Sequence, residues 1–220
     1  MIDQAASIFQ KIIPIAALIT SLVMHEVAHG VASMLLGDPT PVKKGRITLN
    51  PLKHLDLFGT LFPALMILTG SPFIFGWAKP VPVNPGYYKN FRQGFAIVAF
   101  AGPLINFVLA LLSAGLFRLI EVQQNPAEGS FWYLLGIFFI YSTVINMILG
   151  CFNLIPVPPM DGSRIIQLLF PGKIARKWFA LDRYGLAFVF LLFFFFRAPI
   201  NFAIDIAYSI AVSLLGISLI

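Results

Sequence analysis

The chain has 220 residues, of which 59% are hydrophobic and only 11% are charged, and its net charge is +6. Typical globular chains are about 45–50% apolar and about 25% charged, so this composition excludes an ordinary soluble domain, a disordered chain and a nucleic-acid-binding protein. Lysine and arginine gather in the cytoplasmic loops of membrane proteins, and we interpret the excess of positive charge in that way.

Long uncharged stretches predict the membrane-spanning helices. A bilayer core about 30 Å thick needs about 20 helical residues, and the first helix reaches that length only if His25, Glu26 and His29 lie inside it. The end of the chain predicts two closely spaced helices, because Pro199 should break or kink a single one. We therefore predict an all-α polytopic membrane protein with about five to six transmembrane helices. After the first helix, the stretches that predict them are residues 57–78, 93–117, 129–160, 184–196, 198–204 and 206–220, the last two separated by Asp205.

Two connecting segments predict short extended or re-entrant backbone. Residues 45–50 partly alternate apolar and polar side chains, as a short strand does. Residues 76–83 contain repeated prolines, which prevent a regular helix and favour extended backbone. Irregular backbone at membrane depth is tolerated only against protein or a water-filled cavity. Both segments are candidates for lining such a cavity, with ordinary surface loops as the alternative.

The distribution of charge predicts an orientation but leaves one conflict. Residues 37–56 and 162–183 are the most basic connections and should be cytoplasmic, whereas residues 121–128 carry two acids and no base and should face outward. A simple alternation of spans contradicts this arrangement. The charge distribution and the spans agree if residues 57–70 are re-entrant. They also agree if the N-terminus lies outside and one further segment does not cross the membrane. Both solutions stay open from the sequence.

The first predicted helix carries a group of residues with metal chemistry. His25 and His29 are four residues apart, so both imidazoles lie on one helical face and can reach one ion. Glu26 can reach a water molecule held on that ion, and a zinc ion brings the pKa of such a water toward 7. Polar residues inside a span are functional by default. The pattern is typical of a zinc hydrolase, and a zinc site without catalysis is the alternative.

A catalytic zinc site needs a third protein ligand. The third histidine, His54, lies in a basic connection and is more typical of a turn or interfacial residue. Most acidic residues lie near segment ends or in connections. Asp161 instead follows Pro156, Pro158 and Pro159, which end the helix and can present a carboxylate inside the bundle. We predict Asp161 as the third ligand, with His54 as the alternative.

These motifs together carry a family resemblance. His-Glu-x-x-His lies in an early helix, and Asn-x-x-Pro-x-x-Pro-x-Asp-Gly, beginning at Asn153, follows about 130 residues later. The pair resembles the site-2 protease family of intramembrane metalloproteases over residues 12–166. Residues 76–83 and the Gly102-Pro103-x-x-Asn106 stretch are also similar to short bacterial members.

The resemblance implies a site and a reaction. His25, His29 and Asp161 would bind Zn²⁺, Glu26 would be the catalytic general base, and Asn153 would position the substrate or polarise the site. The substrates would be transmembrane proteins, cleaved within or next to their membrane segments in the lipid bilayer. We expect a multi-pass protein of the plasma membrane whose active site opens toward the cytoplasm, with no nucleic-acid partner and an undetermined oligomeric state.

The length predicts a single transmembrane metalloprotease domain, residues 1–220, without a PDZ or CBS domain. A helical substrate must unwind before it is cleaved, and residues 45–50 are our candidate edge for pairing with the unwound chain. One alternative function is a transporter or metal carrier, which predicts further polar residues along several helices. Another is an inactive relative that escorts membrane proteins, which would keep its binding when Glu26 is replaced. The intact motif and the concentration of metal-type residues at one level favour the protease.

Overall fold

The computed structural model describes residues 2–56, 59, 65, 78–124, 126–170, 172, 174, 178, 181–185 and 197–216. Within these residues the regular structure is helical, and no strand is present. The α-helices are α1 (Ile2–Leu35), α2 (Thr40–Lys43), α3 (Phe91–Gln124), α4 (Phe131–Asn153), α5 (Asp161–Ile166) and α6 (Arg197–Leu215). Short 3-10 helices lie at Pro51–Lys53, Pro85–Tyr87, Gln167–Leu169 and Leu181–Tyr184.

Among the described residues, three helices are long and apolar enough to cross a membrane, which confirms the helices predicted around their centres. The apolar parts are Ile12–Leu35, Phe91–Glu121 and Phe131–Asn153. A shorter apolar stretch, Asn201–Leu215, lies in α6. The stretches predicted at residues 57–78 and 184–196 fall largely outside the described residues, so the total of about five to six transmembrane helices stays a prediction.

The end of α1 depends on a glycine. Gly37 has a φ of 97°, a left-handed conformation that favours glycine over residues with a side chain. Its N–H donates to the Met34 carbonyl at 3.0 Å, and the N–H of Asp38 donates to the Ser33 carbonyl at 3.1 Å. This pair of bonds is a Schellman motif, which satisfies carbonyls at the helix end and turns the chain away.

Helices α1 and α3 are antiparallel. The Ser33 hydroxyl near the end of α1 lies 2.7 Å from the Tyr88 hydroxyl, just before α3 begins. About three turns earlier in α1, the carbonyl of Ser21 lies 3.5 Å from Nδ2 of Asn106, well inside α3. Their contact therefore runs along both helices and brings the His-Glu-x-x-His turn of α1 against the first half of α3.

Helix α4 returns alongside α3, also antiparallel. Asn106 contacts Asn146 at 2.7 Å, and Ser113 contacts Ser142 at 2.8 Å. Helix α6 packs on this pair through small side chains, which let helix backbones approach closely inside a membrane. The buried cluster at that junction consists of Ala110, Met147, Ala207 and Ala211.

The connections on both sides of residues 57–77 meet at one end of the bundle. The N–H of Lys79 donates to the His54 carbonyl at 2.8 Å, and Nη2 of Arg46 donates to the Lys79 carbonyl at 2.7 Å. At the same end, Nη2 of Arg92 donates to the Gln167 carbonyl at 2.7 Å. The two basic connections therefore share one end of the bundle.

One local prediction changes. Residues 45–50 do not form a strand, so that prediction is wrong. Their polar groups are used in local turns: the N–H of Arg46 donates to the Pro41 carbonyl, and the Asn50 side chain accepts from the N–H of Leu52. Pro199 lies in α6, and the residues before this helix, 186–196, lie outside the described residues, so the predicted pair of closely spaced helices stays a prediction.

Candidate metal centre and active site

The fold brings His25, His29 and Asp161 together. The two Nε2 atoms lie 3.0 Å apart, and Oδ2 of Asp161 lies 3.2 Å from each of them. A tetrahedral zinc ion with bonds of about 2.0 Å holds its ligand atoms about 3.3 Å apart. The three atoms are therefore already spaced as the corners of such a site, and two imidazoles with one carboxylate are ligands that zinc accepts.

Local structure explains how a residue so distant in sequence arrives at α1. Asp161 is the first residue of α5, which begins after the proline-containing turn that follows α4. The next residue, Gly162, packs against that turn so closely that a Cβ on it would lie 2.2 Å from the Leu154 carbonyl oxygen. Glycine is required there because any side chain would push α5, and Asp161 with it, away from the histidines.

Hydrogen bonds behind the imidazoles set which nitrogen faces the group. Nδ1 of His29 lies 2.7 Å from the Val98 carbonyl, and Nδ1 of His25 lies 2.6 Å from Oδ1 of Asn106. Because both partners are acceptors, each neutral imidazole carries its proton on Nδ1 and turns an unshared pair on Nε2 toward Asp161. Three acceptor atoms then converge with no proton among them, an arrangement that a bound cation satisfies.

Gly102 leaves the space that the two imidazoles occupy. A Cβ on this residue would lie 2.5 Å from Nε2 of His29 and 2.6 Å from Cε1 of His25. At this position the backbone of α3 therefore packs directly against the imidazoles of His25 and His29. This close approach gives a physical role to the glycine of the Gly102-Pro103-x-x-Asn106 stretch.

The second carboxylate oxygen of Asp161 faces away from the histidines. Nη1 of Arg164 lies 3.4 Å from Oδ1, and the Arg164 guanidinium carbon lies 5.4 Å from the centre of the Phe95 ring. Arg164 thus contacts Oδ1, and only Oδ2 of Asp161 faces the two histidines. This geometry suits a carboxylate that offers one oxygen to a metal.

Glu26 lies beside the group without belonging to it. Its Oε2 accepts a hydrogen bond from the N–H of Val81 at 2.8 Å. Val81 belongs to the proline-containing stretch predicted to be irregular, and residues 78–84 indeed carry no helix or strand. That prediction is confirmed for the described part of the stretch, which borders the motif helix.

The other two candidates from the sequence lie elsewhere. His54 is buried, and its Nε2 lies 2.9 Å from the Thr48 carbonyl, outside the group of metal-type residues found in the described part of the chain. Asn153 is the last residue of α4, and its Nδ2 donates to the Leu149 carbonyl at 3.0 Å. The structure gives His54 the turn role rather than the ligand role.

Sequence reasoning missed several residues that shape the site. The family resemblance includes Gly102 and Asn106 but assigns them no role, and no sequence motif points to Asn146. Asn106 and Asn146 are 0% and 1% exposed. The available signal was their position: a carboxamide inside an apolar span needs a partner, so each could have been marked as functional.

Comparison with known proteins finds related zinc metalloproteases. The family model described as peptidase family M50 matches residues 114–196, which include Asn153 and Asp161. Protein YwhC of Bacillus subtilis (strain 168), named as a zinc metalloprotease, is 40% identical over 180 residues, covering 82% of this chain and 78% of the relative.

Two further relatives extend the likeness. Rip2 of Mycolicibacterium smegmatis, also named as a zinc metalloprotease, is 32% identical over 82% of this chain and 66% of its own length. The zinc metalloprotease MJ0392 of Methanocaldococcus jannaschii is 29% identical over 46% of this chain and 29% of its own length. The chain thus spans about two thirds of the Mycolicibacterium relative that it matches. No solved structure matches the chain. The extent and identity of these matches show that the chain belongs to peptidase family M50, the site-2 protease family of membrane zinc metalloproteases.

Proposed function

We propose that this zinc metalloprotease hydrolyses peptide bonds within or next to the transmembrane segments of other membrane proteins. The observation that carries the proposal is the depth of the candidate centre. His25 lies ten residues from the end of the apolar stretch Ile12–Leu35, about 15 Å along the helix axis, and about 20 Å from its start. A peptide bond presented to this centre has to enter the bilayer or its edge.

We assign the metal to the group formed by His25, His29 and Asp161, which offers three ligand atoms and leaves a fourth position open. Zinc held there would supply Lewis acidity toward the scissile carbonyl and toward water. The chain itself orients the two imidazoles through Val98 and Asn106, and it contributes one negative charge through Asp161.

Glu26 is our candidate general base. It follows His25 on α1, and the Val81 N–H holds its Oε2. Its carboxylate accepts a proton from the water that attacks the peptide carbonyl, and it then returns a proton to the leaving amine nitrogen as the C–N bond breaks. One C–O bond replaces one C–N bond, and Glu26 ends the reaction ionised as it began.

Asn153 is our candidate for positioning the substrate. A helical substrate hides its carbonyls in i→i−4 hydrogen bonds and must unwind before attack, which leaves peptide groups in need of partners. The Asn153 carboxamide makes one hydrogen bond, to Leu149, and can make others through its second N–H and its oxygen. It stands at the end of α4, where the chain turns toward Asp161.

Charge supports an orientation in the plasma membrane with the centre open to the cytoplasm. The end of the bundle where α1 finishes and α3 begins carries exposed lysines, whereas the opposite end carries the exposed Glu121 and Glu128. Cytoplasmic ends are rich in lysine. The candidate centre is nearer the basic end, and we propose that residues 1–220 form one catalytic domain around it. The exposed lysines are Lys43, Lys44, Lys53, Lys79 and Lys89.

The experiment that tests this function replaces the base. Purified wild-type protein and Glu26→Gln are reconstituted in vesicles with candidate transmembrane substrates, identified by comparing the membrane proteomes of cells that carry each version. Mass spectrometry locates the cleaved bond, and zinc is measured on the same samples. We expect cleavage inside or beside a membrane segment, lowered about 10²- to 10⁴-fold in Glu26→Gln with zinc retained.

The matched control is Glu121→Gln, which removes an exposed carboxylate at the far end of α3 and should cleave normally. Wild-type turnover in Glu26→Gln would refute the role of Glu26. Cleavage confined to soluble loops far from any membrane segment would refute the intramembrane reaction.

A further inference from the structure

A directed chain of hydrogen bonds leads from α4 to the candidate centre. Nδ2 of Asn146 donates to the Ser142 carbonyl at 2.9 Å and lies 3.2 Å from the Ser142 hydroxyl. Because a carbonyl can only accept, the amide nitrogen of Asn146 must face Ser142, and its Oδ1 must face the other way. That oxygen accepts from Nδ2 of Asn106 at 2.7 Å.

The orientation of Asn146 therefore decides the orientation of Asn106. With its nitrogen held by Asn146, the Asn106 carboxamide turns Oδ1 to Nδ1 of His25 at 2.6 Å. The other contact of that nitrogen, the Ser21 carbonyl, is 3.5 Å away and is too long to hold the amide alone. Without Asn146, a reversed Asn106 would offer an N–H to His25 instead of an oxygen.

The two orientations have opposite consequences for metal binding. An oxygen facing Nδ1 keeps the proton of His25 on that nitrogen and leaves Nε2 as a ligand. An N–H in the same place favours the other tautomer, which puts a proton on Nε2 among the ligand atoms. His29 needs no such device, because its Nδ1 faces the backbone carbonyl of Val98, which cannot reverse.

We propose that Asn146 is a positioning residue for the zinc site: it locks the Asn106 carboxamide so that His25 presents Nε2 to the metal. The proposal rests on the ligand role proposed above for His25. Asn146 acts on His25 through Asn106. At 1% exposure it is shielded from water that could replace its hydrogen bonds, and the Ser142 hydroxyl behind it is itself held by Ser113 at 2.8 Å.

The test measures metal binding rather than activity. Zinc affinity is obtained by competition with a chelating dye, and the absorption spectrum of the Co²⁺-substituted protein reports the ligand geometry. We expect Asn146→Leu to bind zinc about 10- to 100-fold more weakly, the usual effect of losing an outer partner of a metal ligand. The matched control is Thr143→Val, which removes a fully buried hydroxyl from the same helix outside the chain of bonds and should bind zinc normally.

A second substitution separates the lock from a general loss of packing. In Asn106→Asp/Asn146→Leu, the carboxylate presents an oxygen to His25 in either orientation, so the lock is no longer needed. We expect this double variant to recover most of the zinc affinity and the wild-type cobalt spectrum. The proposal is overturned if Asn146→Leu binds zinc like the wild type, or if the double variant binds no better than Asn146→Leu.

Should Asn146→Leu not fold, the double variant is compared with Asn106→Leu/Asn146→Leu, which offers His25 no oxygen. Tighter zinc binding by the aspartate version supports the lock, and equal binding refutes it. Failure of the underlying assignment has a separate signature. If His25→Ala binds zinc as tightly as the wild type, the proposed ligand set is wrong, whatever Asn146 does.

Discussion

Two buried polar groups lie one turn apart on α1 and differ in the balance of their hydrogen-bond donors and acceptors. In the candidate metal group, the Nδ1 protons of His25 and His29 are used by Asn106 and Val98. The three atoms that face one another, Nε2 of each histidine and Oδ2 of Asp161, are therefore all acceptors, and they lie 3.0 to 3.2 Å apart.

In the second group every donor described here has an acceptor within the group, and we name this group the Asp38 clamp. Oδ2 of Asp38 accepts from the Ser33 hydroxyl at 2.7 Å and from the Asn84 N–H at 2.6 Å, while Oδ1 accepts from the Thr40 N–H at 2.9 Å. Since the Ser33 hydroxyl donates to Asp38, the neighbouring Tyr88 hydroxyl at 2.7 Å must donate to Ser33. The clamp consists of Ser33, Asp38, Thr40, Asn84 and Tyr88.

The difference shows that buried polarity alone does not mark a metal site. Both groups are built around a buried carboxylate, Asp161 or Asp38, and both join α1 to distant chain. The hydrogen bonds of the Asp38 clamp are satisfied without an ion. The clamp therefore holds the end of α1 against the segment that precedes α3. The metal group lacks donors, and that deficit is what points to a cation.

The largest expected effect tests this contrast directly. Asp161→Ala removes one of three ligands, so zinc per folded chain should fall from about one toward zero and cleavage should fall to background. Asp38→Ala leaves the buried Ser33 hydroxyl without its carboxylate acceptor, at about 1–3 kcal/mol, so it should lower the unfolding temperature while the folded fraction keeps its zinc. Metal analysis, cleavage and thermal unfolding on the same preparations decide. Full zinc in Asp161→Ala, or equal zinc loss in both variants, would break the contrast.

A smaller effect is expected from crowding the metal group. In Gly102→Ala the new methyl meets both imidazoles, and overpacking of this kind costs about 1–3 kcal/mol, which corresponds to about 5- to 150-fold in zinc affinity. The control is Gly115→Ala on the same helix, where a Cβ would meet nothing within 4 Å. Zinc titrations of both variants measure the effect, and equal affinities would show that the imidazoles can retreat from Gly102.

Asn153→Ala tests whether Asn153 contributes to substrate positioning without contributing to zinc binding. If Asn153 holds the unwound substrate through one hydrogen bond, its loss should lower cleavage about 2- to 12-fold, the equivalent of about 0.5–1.5 kcal/mol, with zinc content unchanged. Asn90→Ala, which removes an exposed carboxamide that accepts from the Gln93 N–H at the start of α3, should leave cleavage unaffected. If cleavage and zinc content fall in parallel in Asn153→Ala, Asn153 merely caps the helix.

The smallest effect concerns acid pH and the Asp38 clamp. Burial alone would raise the pKa of Asp38, but hydrogen bonds from Thr40, Asn84 and Ser33 to the carboxylate outweigh it and hold the pKa below its ordinary value of 3.8. A carboxyl group whose pKa is lowered by folding stabilises the protein above its unfolded pKa, and this contribution disappears as the pH falls through the folded pKa. Asp38→Asn should therefore be less stable than the wild type near pH 7.

That stability gap should narrow as the pH falls below about 4. Thermal unfolding of both proteins across this range measures it. A gap that stays constant with pH would show that the charge of Asp38 contributes nothing to the clamp.

Much of the candidate site could be predicted because its signals are local. The spacing of His25 and His29 fixes a shared helical face in any α-helix, and the prolines before Asp161 stop α4 in any context. Residues 45–50 show the limit of the same reasoning. Their alternation fits a strand, but a strand needs a neighbour, and nearby turns use their polar groups instead.

The sequence by itself determined the three apolar spans that the described residues confirm, one helix face with two histidines and a carboxylate presented after a helix break. These follow from chain length, helical periodicity and proline chemistry, which act over a few residues. Only the tertiary structure decided that Gly102 meets both imidazoles and that Asn146 holds Asn106 against His25. Those contacts depend on the rotation and register of α3 and α4 against α1, which are set by close packing between residues far apart in the chain.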